Sequence, residues 1–299
     1  VALDPMEAAH EQNRRSWNAV TPAHQSHKVG QAAFFRDGGS TLFEEELQLL
    51  GPVEGLRVAH LQCNCGQDSL SIARLGAQVV GCDISDVAIG EAVRLSADSG
   101  IACSFEREDV ITWLERSGRE GYDVVFCSYG CINWIGDLHR WARGIAAVLK
   151  PSGRFVLLEF HPLAWSFGDN ATLTGDPYFD ETQAGRSGAV TSAGVSDYVG
   201  RSGDGLVPEG MGFAEGEPAF ANPEPAVEFT HTTADLVSAI AGAGLHVESM
   251  REYPYSNGCQ LFGGMRRLPG RRYAMPAGMP SMPLMLSIVA VHRDRTPPA

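Results

Sequence analysis

Residues 57–86 read RVAHLQCNCGQDSLSIARLGAQVVGCDISD, and the order of residue types in this stretch decides the fold. An apolar run at 58–61 gives way to a polar, glycine-containing loop at 62–67. A helix follows over 68–75, with Leu70, Ile72, Ala73 and Leu75 available to face a sheet and Gly76 just past its end. A second apolar run, 79–82, then delivers Asp83 to the carboxyl edge of the sheet, with Ile84 beside it. A carboxylate there can accept hydrogen bonds from both hydroxyls of a ribose. The unit therefore predicts a site for an adenosine-type cofactor with an unphosphorylated ribose.

Two cofactor classes use this layout, and the loop separates them. A dinucleotide needs G-x-G-x-x-G, so that backbone amides can close on a pyrophosphate at a helix N-terminus. Here Gln62, Asn64 and Gly66 stand at the alternate positions and Asp68 begins the helix, so a pyrophosphate would meet side chains and a negative charge. S-adenosylmethionine carries no phosphate, and its cationic sulfonium and ammonium suit carbonyls and carboxylates. At these residues the chain resembles the class I S-adenosylmethionine-dependent methyltransferases. Their loop reads acid-x-Gly-x-Gly-x-Gly, and His60, Gln62, Asn64 and Gly66 occupy those four positions, with only the last glycine kept. The run from Leu61 to Asp68 is similar to a variant among bacterial small-molecule methyltransferases, many of them from natural-product pathways. The resemblance covers residues 45–165 most clearly. It implies S-adenosyl-L-methionine as cofactor and Gln62, Cys63, Asn64, Gly66 and Asp68 around its methionine end. His60 takes a supporting role at the loop backbone.

Later landmarks follow the family's order. Residues 104–110 read as a third strand with Asp109 at its end, where the family places an acid that accepts from the adenine amino group, and Val110 as the neighbouring backbone donor. Residues 122–128 form a fourth strand, and Ser128 opens a loop to Trp134 that passes the methionine portion. A helix at 137–149 and the turn Lys150-Pro151-Ser152-Gly153 precede a fifth strand at 154–160. Thr232 with Asp235 resembles a capping box for a helix at 233–243, closed by Gly244. Strands at 245–253 and 284–292 would complete an antiparallel edge. The expected fold is α/β: a Rossmann-like open twisted sheet, mostly parallel with an antiparallel last strand, helices on both faces, and substrate-lid insertions. One domain spans 1–299, divided into a leader at 1–50, a cofactor-binding core at 51–163, a lid insertion at 164–228, and a carboxyl-terminal helix with edge strands at 229–299.

Composition agrees with an enzyme of this kind. A 44% hydrophobic chain of 299 residues supports a large core. The net charge of −13 and the scattered Lys and Arg argue against a nucleic-acid partner. Arg266, Arg267, Arg271 and Arg272 cluster; the cluster reads as a solvated loop, against a sharper reading as a grip on an anionic substrate or a subunit contact. The seven cysteines are odd in number and fall mostly in strands and the cofactor loop, which points to a reducing cytoplasm. Cys63 with Cys65 and Cys127 with Cys131 lack zinc-site spacing, so no metal is expected. No apolar run has the length of a membrane span and no secretory signal is read. A leader swapped between copies would favour a homo-oligomer.

Substrate choice falls to the segments beyond the minimal fold. Trp17 and His24 in the leader, with His27, Phe34 and Phe35, are candidates to line a lid. Trp165 and Tyr198 stand in the long insertion, and Trp134 could stack on an acceptor. His161, just past the fifth strand, is the candidate general base. Glu159 would orient it or act with it, and Tyr129 would orient the acceptor. These residues lead to methyl transfer onto a small aromatic acceptor, favoured as C-methylation of an indole or isoprenoid-type scaffold. N- or O-methylation of a similar molecule is the alternative, and a non-catalytic cofactor-binding scaffold is the rival from another class.

Overall fold

The computed structural model describes residues 4–119, 121–168, 171–179, 189–217 and 219–292. The leader contains α1 (Pro5–Ser26), β1 (Lys28–Val29), α2 (Gln31–Arg36) and α3 (Glu44–Leu50). The core alternates β2 (Arg57–Leu61), α4 (Gln67–Arg74), β3 (Gln78–Asp83), α5 (Asp86–Ser99), β4 (Ser104–Arg107), α6 (Val110–Arg116), β5 (Tyr122–Ser128), α7 (Leu138–Val148) and β6 (Leu149–Phe160). Beyond it come β7 (Ala189–Ser192), α8 (Tyr198–Ser202), β8 (Gly212–Phe213), β9 (Ala226–Phe229) and α9 (Thr233–Gly242). The chain then continues through β10 (Leu245–Tyr253), β11 (Tyr255–Asn257), β12 (Arg266–Leu268), β13 (Arg272–Ala274) and β14 (Met285–His292).

Seven strands form one sheet in the order β10-β14-β6-β5-β2-β3-β4. Pairing is parallel from β6 through β4, while β14 runs antiparallel between β6 and β10. The expected mostly parallel sheet with an antiparallel last strand is therefore present. Its centre is buried on both faces, and Val124, Val125, Phe126 and Cys127 of β5 accordingly form a continuous apolar run. One face packs Trp113 of α6 and Trp141 and Ile145 of α7 against Phe155 and Leu157. The opposite face packs Leu50 of α3 and Ile72 of α4 against Val58, Val124 and Val156. Strand order reverses between β2 and β5, which opens a crevice at their carboxyl ends where open α/β folds bind ligands.

Several boundaries differ from the sequence reading. Strand β4 stops at Arg107, and Asp109 caps α6 instead of ending the strand, because its Oδ1 accepts from Ile111 N at 3.0 Å and Thr112 N at 3.1 Å. Residues 150–153 belong to β6 rather than to a separate turn. The register shifts there, with Tyr122 opposite Leu149 and Val124 opposite Arg154, so this stretch bulges from the ladder. Lys150 Nζ is tied across it to Asp123 at 2.8 Å. The stretch between the two expected edge strands holds a three-stranded sheet, β11-β13-β12. The capping box at Thr232 and Asp235 is present as expected. The insertion at 164–228 lies partly outside the described residues.

Candidate active site

A cavity of about 340 Å³ lies at the carboxyl edge of the sheet. The loop after β2 forms one wall. Gln62, Asn64 and Gly66 have φ of +52°, +50° and +75°, so all three positions at which the family carries glycine adopt the left-handed conformation. Only glycine does so without steric cost, and asparagine tolerates it better than glutamine. Side-chain bonds hold the two substitutes. Gln62 Nε2 donates to Cys131 O at 2.9 Å, and Asn64 Oδ1 accepts from Cys65 N at 2.7 Å. The third position needs glycine for a second reason. A Cβ on Gly66 would stand 2.7 Å from Phe105 and 2.9 Å from Ala92 Cβ.

Asp83 lines the cavity at the end of β3. Its Oδ2 accepts from Asn64 N at 2.8 Å and its Oδ1 from Ser85 N at 2.9 Å. Each carboxylate oxygen can accept a second bond, so capacity for two hydroxyls is left. Burial raises its pKa, against the pull of the Ser85, Asn64 and Ile84 amides. Ile84, Val110 and Asp109 line the same end. The second oxygen of Asp109 lies 2.7 Å from His10 Nδ1. Burial pushes the Asp109 carboxyl up, but the His10 bond and the α6 amides outweigh it and leave the pKa below the ordinary value. His60 also lines the cavity; burial holds its pKa at about 4, and Ser69 Oγ lies 2.8 Å from its Nδ1.

Helix α1 covers this end. His10 and Asn13 line the cavity from it, and Trp17, one turn on, lines it further along. Asn13 exchanges two bonds with Val227, donating to its carbonyl at 2.8 Å and accepting from its amide at 2.7 Å. Arg14 pairs with Asp86, and Asn18 Oδ1 accepts from Ser85 Oγ at 2.7 Å. Strand β1 pairs with β8, which ties the leader to the insertion.

The other end is aromatic. Trp17, Phe43, Tyr129, Trp134, Phe160, Trp165 and Tyr198 line it, with Met211 and Leu206. The Trp17 ring meets the Trp134 ring edge-on at 5.5 Å. Tyr129 holds φ of +34°, and its hydroxyl accepts from Asn257 Nδ2 at 2.9 Å.

Most predicted site residues converge here. Gln62, Cys63, Asn64, Asp68, Asp83, Ile84, Asp109, Val110, Ser128, Tyr129, Trp17, Trp134, Trp165 and Tyr198 all line the cavity. Four do not. Gly66 acts through the loop backbone. His24 packs behind Tyr198 with ring centroids 4.3 Å apart, and its Nε2 lies 3.0 Å from Ser196 O. Glu159, 3% exposed, accepts from Cys131 N at 2.7 Å, Ile132 N at 3.0 Å, Phe160 N at 2.6 Å and also Gly130 N. Its carboxylate is occupied in shaping the loop after β5. His161, 5% exposed, turns away from the cavity: Nε2 lies 3.1 Å from Glu252 of β10, and Nδ1 accepts from Leu163 N at 3.1 Å. Neither is placed to accept a proton from a ligand in the cavity.

Three charged residues also line the cavity. Lys28 and Glu46 of the leader carried no sequence signal, while Arg271 belongs to the arginine cluster for which a solvated loop and a grip on an anion were the two readings. Burial lowers the pKa of both cations. The Arg271 guanidinium sits 4.0 Å over the Phe43 ring and donates to Thr41 O at 3.2 Å.

Residues 58–153 match a family of methyltransferase domains. The ubiquinone biosynthesis O-methyltransferase of Chelativorans sp. (strain BNC1) is 30% identical over 141 residues, or 46% of this chain and 54% of that protein. The protein of the same name from Bradyrhizobium diazoefficiens is 31% identical over 139 residues, or 46% and 53%. The chain thus spans about half the length of the curated relatives it matches. Among solved structures, a Listeria monocytogenes protein provisionally assigned as an S-adenosylmethionine-dependent methyltransferase superposes with a TM-score of 0.54 at 19% identity, covering 84% of this chain and 97% of that one. An S-adenosylmethionine-dependent methyltransferase from Mesorhizobium loti gives 0.52 at 20%, covering 85% and 99%.

Proposed function

We propose that this chain, with the class I S-adenosylmethionine-dependent methyltransferase fold and a methyltransferase domain at residues 58–153, transfers a methyl group to a small aromatic acceptor. One observation carries the reading. A single cavity joins the acids Asp83 and Asp109 to a wall of tryptophan and tyrosine rings. The donor set fits the cofactor's chemistry. Gln62 Oε1 is buried without a hydrogen-bond partner among the described residues, and an unmet carbonyl suits an ammonium. When bound, S-adenosylmethionine supplies an electrophilic methyl on a good leaving group. The chain's task is then to align the nucleophile and exclude water. Asp83 would hold the ribose and Asp109 the adenine. Lys28, half-buried in the wall, suits the methionine carboxylate. Trp17, Trp134 and Trp165 would close on a flat acceptor and keep water out.

Carbon methylation of an indole or isoprenoid scaffold with His161 as base loses that base, since His161 is turned toward Glu252. A heteroatom acceptor is the better-supported reading, and the matched curated relatives are named O-methyltransferases. Incubation with S-adenosylmethionine and a panel of phenols, indoles and aromatic amines, read by mass spectrometry, is expected to show gain of one methyl on oxygen or nitrogen. Consumption of no cofactor across the panel would contradict the proposal. No helix among the described residues is long and apolar enough to cross a membrane.

A further inference from the structure

Glu46 lies in the first turn of α3, is 1% exposed, and lines the cavity beside Phe43, Tyr129, Asn257 and Arg271. Its Oε2 accepts from Phe43 N at 2.7 Å, which closes the start of the helix. Its Oε1 has no partner within ordinary hydrogen-bond distance among the described residues, and the Tyr129 hydroxyl is a nearby donor that acts on the carboxylate. A buried acceptor with no close donor is costly, so the oxygen is open to a donor that a ligand could bring. The adjacent glutamate is in a different position. Glu45 is paired with Arg272, accepts from Tyr255 Oη at 2.7 Å, and accepts from Asn257 Nδ2 at 3.1 Å.

We infer that Glu46 receives the O–H or N–H of the acceptor substrate and takes its proton during methyl transfer, so the acceptor is a phenol-type hydroxyl or an aromatic N–H. This rests on the methyltransferase reading above. In the step, an oxygen or nitrogen electron pair forms the bond to the methyl carbon, and the carbon–sulfur bond breaks with its pair left on a neutral sulfide. The proton passes to Glu46 Oε1. Charge balances, because the sulfonium loses its positive charge as the carboxylate loses its negative one. The surroundings suit a proton acceptor. Burial and the nearby Asp68 raise the Glu46 pKa well above the ordinary carboxylate value, against the Phe43 amide, Tyr129 and Arg271. A raised pKa makes the ionised carboxylate a stronger base for a weakly acidic hydroxyl, and the step starts from the ionised fraction alone.

Glu46→Gln tests this with little change in volume. If the glutamine oxygen stays on Phe43 N–H, its NH₂ replaces the free oxygen, and an acceptor becomes a donor. Two probe pairs are titrated by calorimetry into protein saturated with S-adenosylhomocysteine: 2-naphthol against 2-methoxynaphthalene, and indole against 1-methylindole. Turnover of 2-naphthol with S-adenosylmethionine is read by mass. Wild type is expected to bind the hydroxyl or N–H member of a pair about tenfold more tightly than its methylated partner. The variant should lose or reverse that preference and drop turnover by about a hundredfold, with S-adenosylhomocysteine affinity held within about twofold. A wild type that binds S-adenosylhomocysteine but shows no preference, or binds and methylates none of the probes, overturns the role of Glu46 and leaves the methyltransferase reading standing. So does a variant that keeps both preference and turnover. A wild type that binds neither S-adenosylmethionine nor S-adenosylhomocysteine overturns the underlying reading instead.

Discussion

At the cofactor loop, the left-handed backbone of the glycine motif is kept while two of its glycines are replaced. Gln62 and Asn64 bear the strain of positive φ, and each repays part of it with a side-chain bond, to Cys131 O and Cys65 N. Gly66 has no such latitude, because a Cβ there would collide with Phe105 and Ala92. Gly66→Ala is therefore expected to cost about 1–3 kcal/mol and to weaken S-adenosylmethionine binding. Gln62→Gly, which relieves strain while losing one hydrogen bond, should stay within about 1 kcal/mol of wild type. Denaturant titration of both variants checks this ordering. Residues with a local, motif-bound signal, such as Asp83 and Asp109, were legible from sequence as cavity residues. Glu46 was not, because Phe43-Glu44-Glu45-Glu46 reads as the acidic first turn of a solvated helix, and only tertiary packing buries the third acid. His161 is singled out for its position just past a buried strand, and nothing local in the sequence shows that Glu252 of β10 meets its ring.

At the scale of elements, α1 is both cover and pH-sensitive clasp. Its last turn buries His24 between Tyr198 and Ser196, and burial lowers the imidazole pKa to about 4 from 6.5. Above pH 6.5 both folded and unfolded chains hold His24 neutral, and it adds no pH dependence. As pH falls from 6.5 towards 4, the unfolded chain takes up the proton and the folded one does not, so stability is lost, on the order of 3 kcal/mol at the limit. His24→Gln, which can keep a donor to Ser196 O, should flatten this part of the stability profile in urea titrations between pH 7 and 4. An unchanged slope would show that another group carries it. The helices and strands of the core were readable because each is set by local periodicity and caps, as at Thr232 and Asp235. The β1–β8 and β11–β13–β12 pairings were not, because strands of two or three residues leave little periodic pattern, and β1 and β8 are in addition far apart in sequence.

Across the whole molecule, the fold places the strand-order reversal, the leader and the insertion around one cavity, so the proposed cofactor and acceptor would be enclosed by different parts of the chain. Titration calorimetry of S-adenosylmethionine and S-adenosylhomocysteine into wild type and Asp83→Ala, with thermal unfolding of each to verify folding, measures the central claim directly. One-site binding of both compounds to wild type, weakened by at least about a hundredfold in the folded variant through loss of two charge-assisted hydrogen bonds, is the predicted result. Absence of heat with either compound, or equal affinity in the folded variant, would contradict it.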